Sequence, residues 1–492
     1  MSKRLSDKTL AALPSSVAVP CYDRAAVTPG IVHLGVGAFH RAHQAVYVDD
    51  CLAAGEREWG IVGASLQSAS THDALGPQDG LYTLATRGGD RETLRVVGSI
   101  GSVLVAPRSP SGLLDVLGDP RTRIVTLTIT EKAYLRNAAG GLDTGHAAIV
   151  ADIDTPENPR TAHGYLVEAL ARRRAAGIAP FTVLSCDNLP ANGATLHRLL
   201  GEFAALRDPE LAKHVAEISC PSSMVDRIVP ATTDADRARI SLELGVEDAW
   251  PVLTEPFSQW VIEDDFSSGR PGWEAFGVEM VRDVGPFEDM KLRLLNGAHS
   301  AIAYLGLLSG HETVAKSFGD PAIRSFVKGQ WAEAAPTLPT ASGLDPKRYV
   351  EALTTRFDNT ALAHRTAQIA NDGSQKLPQR IVATALDRMN AGAGADHLMM
   401  TVAAWMRACE LRVSGLAAQH FTDPLDDALV RIAKRNLPAA EAVGAVFDLA
   451  GFAGASKWRP ALEALAADNL AMLRTDGVAA ALSQLDTGGQ SA

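Results

Sequence analysis

The stretch Lys291-Leu-Arg-Leu-Leu-Asn296-Gly-Ala-His299 brings an amine, a carboxamide and an imidazole into a segment suited to a helix. At about 100° per residue, Asn296 stands roughly 140° and His299 roughly 80° around from Lys291, so all three can border one cleft. Glu288 falls within the same arc. The group suits carbonyl–alcohol interconversion. A lysine has a reference pKa of about 10.4, but burial or neighbouring positive charge can lower it towards roughly 7–8, where it can remove a hydroxyl proton. The amides of Asn188 and Asn296 can donate to the oxygen as negative charge develops during hydride transfer, and His299 can orient the substrate or the lysine. Taken singly, each residue also has an ordinary reading as a solvated lysine or a structural hydrogen-bonding side chain.

Gly35-Val36-Gly37 follows the apolar run Gly30-Ile31-Val32-His33-Leu34. Glycines directly after a strand let a backbone approach a pyrophosphate at a helix start, and they also serve in any tight turn. His40 stands where the third glycine of G-x-G-x-x-G would be. Arg41 reads either as a phosphate contact or as a surface arginine. The ribose-binding position some 20 residues on reads Gly63-Ala-Ser-Leu-Gln-Ser68, without the acidic residue that selects NAD over NADP. Met224-Val-Asp226-Arg227 and Asn371-Asp-Gly-Ser-Gln-Lys-Leu-Pro-Gln-Arg380 are also dense in polar groups. The second reads as a substrate clamp or as a turn with Asp372 or Ser374 capping a helix.

Strands that would carry these groups are expected at 30–35, 59–66, 93–100, 123–130 and 181–185. Helices are expected at 38–52, 110–117 and 162–176. Their alternation predicts an α/β, doubly wound and mainly parallel sheet in the first half. A loop is expected at 265–273. Beyond about residue 285, Ala/Leu-rich amphipathic stretches predict a mainly α-helical second half. Domains are accordingly expected at 1–285, for the dinucleotide, and 286–492, for substrate and catalysis. A small polar tail occupies 488–492.

The chain has 492 residues and a formal charge of −11, which offers no general attraction to phosphate backbones or anionic membranes. Cys21, Cys51, Cys186, Cys220 and Cys409 form no CxxC pair, arguing against a disulfide framework or a thiolate zinc site. The first twenty residues lack the apolar run of a secretory signal, and other apolar stretches are broken before the roughly 20 residues of a membrane span. The expectation is a soluble cytoplasmic protein without nucleic-acid or membrane partners.

Several blocks together resemble the polyol-specific long-chain dehydrogenase family. They are Ile31-Val-His-Leu-Gly-Val-Gly-Ala-Phe-His-Arg-Ala-His43, Thr128-Ile-Thr-Glu-Lys-Ala-Tyr134, Ser185-Cys-Asp-Asn188, Met224 to Arg227, Glu255-Pro-Phe257, Gln259 to Asp264, Lys291 to His299 and Asp372 to Lys376. The resemblance runs through almost the whole chain. It implies a Rossmann-type N-terminal domain, a mainly helical C-terminal domain, no zinc and a site between them. It further implies NAD, with NADP open, and the candidate residues to hold it are Gly35, Gly37, Phe39, His40 and Arg41. Lys291 would be the general acid/base, Asn188 and Asn296 the oxyanion-stabilising pair, and His299 a substrate-positioning residue. Asp226 and Lys376 would line the polyol chain, and Glu288 would connect the lysine with solvent.

One departure bears on the substrate. Gln368 stands where the mannitol branch is expected to carry a substrate-contacting arginine, eight residues before Lys376. The surrounding residues are similar to those of fructuronate reductases and of some bacterial mannitol dehydrogenases. A hexuronate needs a cation for its carboxylate, and Arg365, Lys376 and Arg380 are candidates, or structural ion-pair partners. The leading expectation is mannitol/fructose interconversion by a monomer or weak oligomer. Mannonate/fructuronate follows, with a non-catalytic dinucleotide-binding redox sensor as the reading from another class.

Overall fold

The computed structural model describes residues 3–89, 91–415 and 420–488, so positions 489–492 of the polar tail lie outside the described residues. The chain divides into two compact units, Met1–Gly285 and Pro286–Ala492.

Strands in the first unit are β1 (Pro29–Leu34), β2 (Gly60–Ser65), β3 (Tyr82–Gly88), β4 (Arg91–Val97), β5 (Ile100–Val105) and β6 (Ile124–Leu127). They are followed by β7 (Thr182–Ser185), β8 (Ser223–Asp226), β9 (Val252–Thr254), β10 (Gln259–Glu263) and β11 (Glu279–Val281). Five form a parallel sheet in the order β5-β2-β1-β6-β7. Chain order reverses between β1 and β6, and ligands of open α/β sheets sit beyond the strand ends at such a reversal. Two smaller sheets, β4-β3-β9 and β11-β10-β8, complete the unit.

Alternation along the central strands sorts residues between two cores. Val32, Leu34, Val125, Leu127 and Val183 face a cluster with Leu166, Leu170, Leu199 and Phe203. Ile31, Ile61, Ile124 and Leu184 face Val48, Leu52, Trp260 and Trp273. Burial on both faces explains why β1 and β6 read as continuous apolar runs rather than alternating ones.

The expected strand over 93–100 is split in the structure. Thr93–Val97 belongs to β4, antiparallel to β3, whereas Ile100 opens β5 of the parallel sheet, with Gly98 and Ser99 between. The expected helix over 38–52 is likewise broken. Ala38–Ala42 ends at His43, whose backbone leaves helical geometry at φ −126°, ψ −89°, before Gln44–Ala53 resumes. There the His43 imidazole engages the Gln259 carbonyl through Nε2 at 2.9 Å.

The second unit is helical and built around Gly297–Leu308. Every residue from Gly297 to Gly306 is buried, as expected of a helix apolar on all sides. Asp396–Val413, Thr366–Ala370 and Pro321–Ala334 pack against it. No helix among the described residues is long and apolar enough to cross a membrane.

Candidate active site

In the first unit, β1 runs into Gly35, which adopts φ +96°. A Cβ at Gly35 would fall 2.2 Å from the Thr128 carbonyl oxygen, so only glycine fits where the β1 turn crosses the end of β6. Gly63 has a related role on β2: a Cβ there would lie 2.5 Å from Val36 Cγ2. At Gly37 the nearest atom to a Cβ would be 3.9 Å away, leaving open space beside the turn. A tight glycine turn at the sheet's reversal, with a free face at its second glycine, fits the pyrophosphate of a dinucleotide.

His40 and Arg41 turn inward. His40 is fully buried and stacks on His33 with centroids 3.3 Å apart. Arg41 is also buried. Its guanidinium donates to the Trp250 carbonyl and lies 5.2 Å from the Tyr82 ring centroid, while Tyr82 Oη donates to the Arg41 carbonyl at 2.5 Å. These contacts correct the reading of Arg41 as a surface arginine: its side chain is buried inside the unit. Phe39 stacks on His43 at 5.1 Å.

Asn188 is exposed just past β7, and its neighbour Asp187 anchors the adjoining loop. The Asp187 carboxylate accepts from the amides of Ile129 at 3.0 Å and Thr130 at 2.9 Å, and from Tyr134 Oη at 2.8 Å. Asp226 is buried at the end of β8. Arg227 beside it donates to the carbonyls of Ala42 and Glu255, bracing the short helix after the glycine turn.

In the second unit, Glu288 lies half-buried in helix Gly285–Met290, which leads into Lys291–Asn296. That segment is a π-helix, not the uniform α-helix assumed in the sequence reading, so the 140° and 80° separations do not hold. Side chains also reach carbonyls of this segment. Trp331 Nε1 donates to Leu294 at 2.9 Å, and Ser300 Oγ to Asn296 at 3.1 Å. A second π-helix, Pro378–Val382, packs against the first. Where they meet, a Cβ at Gly297 would lie 3.3 Å from Gln330 Nε2 and 3.4 Å from the Arg380 carbonyl oxygen.

His299 is buried, with Phe357 and His364 centroids at 5.0 and 5.5 Å. Burial holds its pKa well below the ordinary histidine value, and the charges of His364, Arg356, Arg380 and Lys291 act in the same direction. His299 is therefore a neutral imidazole near neutral pH. Arg380 donates to Ser300 Oγ at 3.5 Å. Arg356 was missed in the sequence. It is buried on helix Pro346–Phe357 in line with Tyr349, Leu353 and Phe357. A cation on an otherwise apolar stripe was the available signal.

Lys376 Nζ donates to the Asn371 carbonyl at 2.7 Å and lies 3.8 Å from Asp372 Oδ2. The expected cap of helix Gly373–Leu377 comes from neither Asp372 nor Ser374. Asp423 supplies it, accepting from the Ser374 amide at 2.8 Å and hydroxyl at 2.5 Å. Arg365 and Gln368 are exposed around helix Thr366–Ala370.

Residues 29–275 match the family model described as the mannitol dehydrogenase Rossmann domain, and residues 283–468 the mannitol dehydrogenase C-terminal domain. D-mannonate oxidoreductase of Escherichia coli is 42% identical, over 88% of this chain and 91% of that protein. A mannitol 2-dehydrogenase of Phaeosphaeria nodorum is 41% identical, over 86% and 75%. Among solved structures, the ternary complex of Pseudomonas fluorescens mannitol 2-dehydrogenase with NAD and D-mannitol has a TM-score of 0.87 at 37% identity, covering 98% of this chain and 99% of that one.

Proposed function

The chain belongs to the mannitol dehydrogenase family, and from that premise we propose an NAD(H)-dependent oxidoreductase that interconverts a secondary alcohol of an open-chain sugar acid or polyol with its 2-keto counterpart. The dinucleotide supplies or accepts the hydride at its nicotinamide. Gly35 and Gly37 leave room for its pyrophosphate. In the reductive direction, the Lys291 ammonium gives a proton to the carbonyl oxygen; in the oxidative direction, the free amine takes it back. Asn296 and Asn188 donate amide hydrogens to that oxygen as charge develops. His299, neutral, orients a substrate hydroxyl. Lys376 and Asp226 line the carbon chain, and Glu288 relays the lysine proton to solvent.

Two observations bear on the choice of substrate. Arg356, Arg380 and Lys291 all oppose its protonation, and such a surround favours an anionic substrate end. The family resemblance alone ranks mannitol and fructose first. The cationic surround, together with the 42% identity to a D-mannonate oxidoreductase, favours D-mannonate and D-fructuronate. Mannitol and fructose remain the second reading, supported by the likeness to a structure bound to D-mannitol.

The test follows NADH absorbance with D-fructuronate and D-fructose in parallel. Faster turnover per substrate concentration with fructuronate supports the first reading, and the reverse selects the second. Lys291→Ala is expected to lower turnover by about 10²–10⁴-fold while NADH binding persists. Undiminished turnover overturns the lysine mechanism.

A further inference from the structure

We propose that His33 and Thr128 form a strut with a fixed order of protons that holds the Gly35 carbonyl and so positions the dinucleotide turn, a role that rests on the cofactor reading above.

The order of protons follows from the distances. Thr128 Oγ1 donates its one proton to the Gly35 carbonyl at 2.7 Å. It can then only accept from His33 Nε2, 2.9 Å away, which therefore carries a hydrogen. Burial pushes the His33 pKa down to about 3, so the ring is neutral and Nδ1 is an acceptor. Thr126 Oγ1 supplies that bond at 2.7 Å. The sequence of donors is thus Thr126 to His33, His33 to Thr128, and Thr128 to Gly35, with no proton left over.

The Gly35 carbonyl is held from further directions. His33 Nε2 lies 3.1 Å from it, and the Gly37 amide donates to it at 2.7 Å. His40 stacks on the His33 ring with only 12° between planes, bracing its orientation. This gives the histidine in the third-glycine position a physical task. Because a trans peptide sets C=O and N–H on opposite sides, a Gly35 carbonyl held by the strut aims the Val36 N–H away from it. That amide is then directed to meet a phosphate oxygen.

Thr128→Val removes the hydroxyl at nearly constant volume, and Thr128→Ser retains it. NADH titration by fluorescence is expected to give a dissociation constant about tenfold weaker for Thr128→Val, the effect of losing one hydrogen bond that orders the site. Thr128→Ser should stay close to the wild type, and the loss in Thr128→Val should fall on the KM for NADH far more than on kcat. His33→Phe should weaken NADH in the same way. A Thr128→Val protein with wild-type NADH affinity overturns the strut, whether or not its Tm falls, and so does equal weakening by valine and serine. A wild-type chain that binds no dinucleotide fails at the cofactor reading itself.

Discussion

Asp187 accepts the amide of Thr130 at 2.9 Å, although Thr130 is a β-branched residue held at φ +73°. Such a backbone costs about 1–3 kcal/mol and persists only where its surroundings enforce it. The enforcing group is one carboxylate, which also takes the Ile129 amide and the Tyr134 hydroxyl and immediately precedes Asn188.

Asp187→Asn is therefore expected to do more than remove a charge. One carboxamide cannot accept from two backbone amides with both of its heavy atoms, so at least one donor faces another donor, at a cost of about 1–3 kcal/mol. Tm should fall, and kcat should fall with it as Asn188 loses its setting, while the KM for NADH changes little. An unchanged kcat in a destabilised variant would limit Asp187 to a structural role.

Arg356→Gln tests the anionic end of the substrate. Hydrogen bonds to charged groups contribute about 1.5–3 kcal/mol, so the KM for D-fructuronate should rise roughly 10- to 100-fold. The KM for D-fructose, which has no carboxylate, should hardly move, and its retained turnover serves as the control for folding. Equal effects on both substrates would remove Arg356 from carboxylate recognition.

Much of this was legible from residue type and spacing. Buried strands ending in Gly35 and Asn188, and the turnover from strands to helices near 285, follow from local patterns that tertiary packing leaves intact. The π-helix at Lys291–Asn296 does not: Trp331, distant in sequence, donates to its Leu294 carbonyl, a contact that local spacing does not carry. The surface reading of Arg41 failed for a similar reason: the carbonyl it serves belongs to Trp250, more than two hundred residues away. Asp423 capping the helix at Ser374 is a third case.

Ser68→Asp addresses coenzyme choice. β2 ends at Ser65, and the hydroxyl of the exposed Ser68 meets Ser70 Oγ at 2.7 Å and accepts from the Ser70 amide at 3.1 Å. The position lies where an acidic residue ordinarily takes the ribose hydroxyls and repels a 2′-phosphate. Wild-type protein should accept NADPH alongside NADH, and the aspartate should raise the NADH preference in kcat/KM by about tenfold or more, the effect of a like-charge contact of some 1.4 kcal/mol. A wild type already strict for NADH would show that discrimination lies elsewhere.

Acid stability can be tested away from the candidate site. His163 is buried on helix Ala162–Ala175, its ring 6.4 Å from Phe203, and burial lowers its pKa to about 4. As pH falls through the ordinary histidine value, the unfolded chain takes up a proton that the folded one refuses until about pH 4. Stability is therefore full above the unfolded pKa and lost as pH falls towards the folded one, by about 2 kcal/mol at pH 5 for this residue. His33 and His364, lowered by burial to about 3 and 4, act with the same sign. His163→Leu removes one such site, so urea unfolding at pH 7 and pH 5 should show a stability gap narrower by about 2 kcal/mol than in the wild type. An unchanged gap would mean that His163 takes up its proton in the folded protein, and that its pocket admits water.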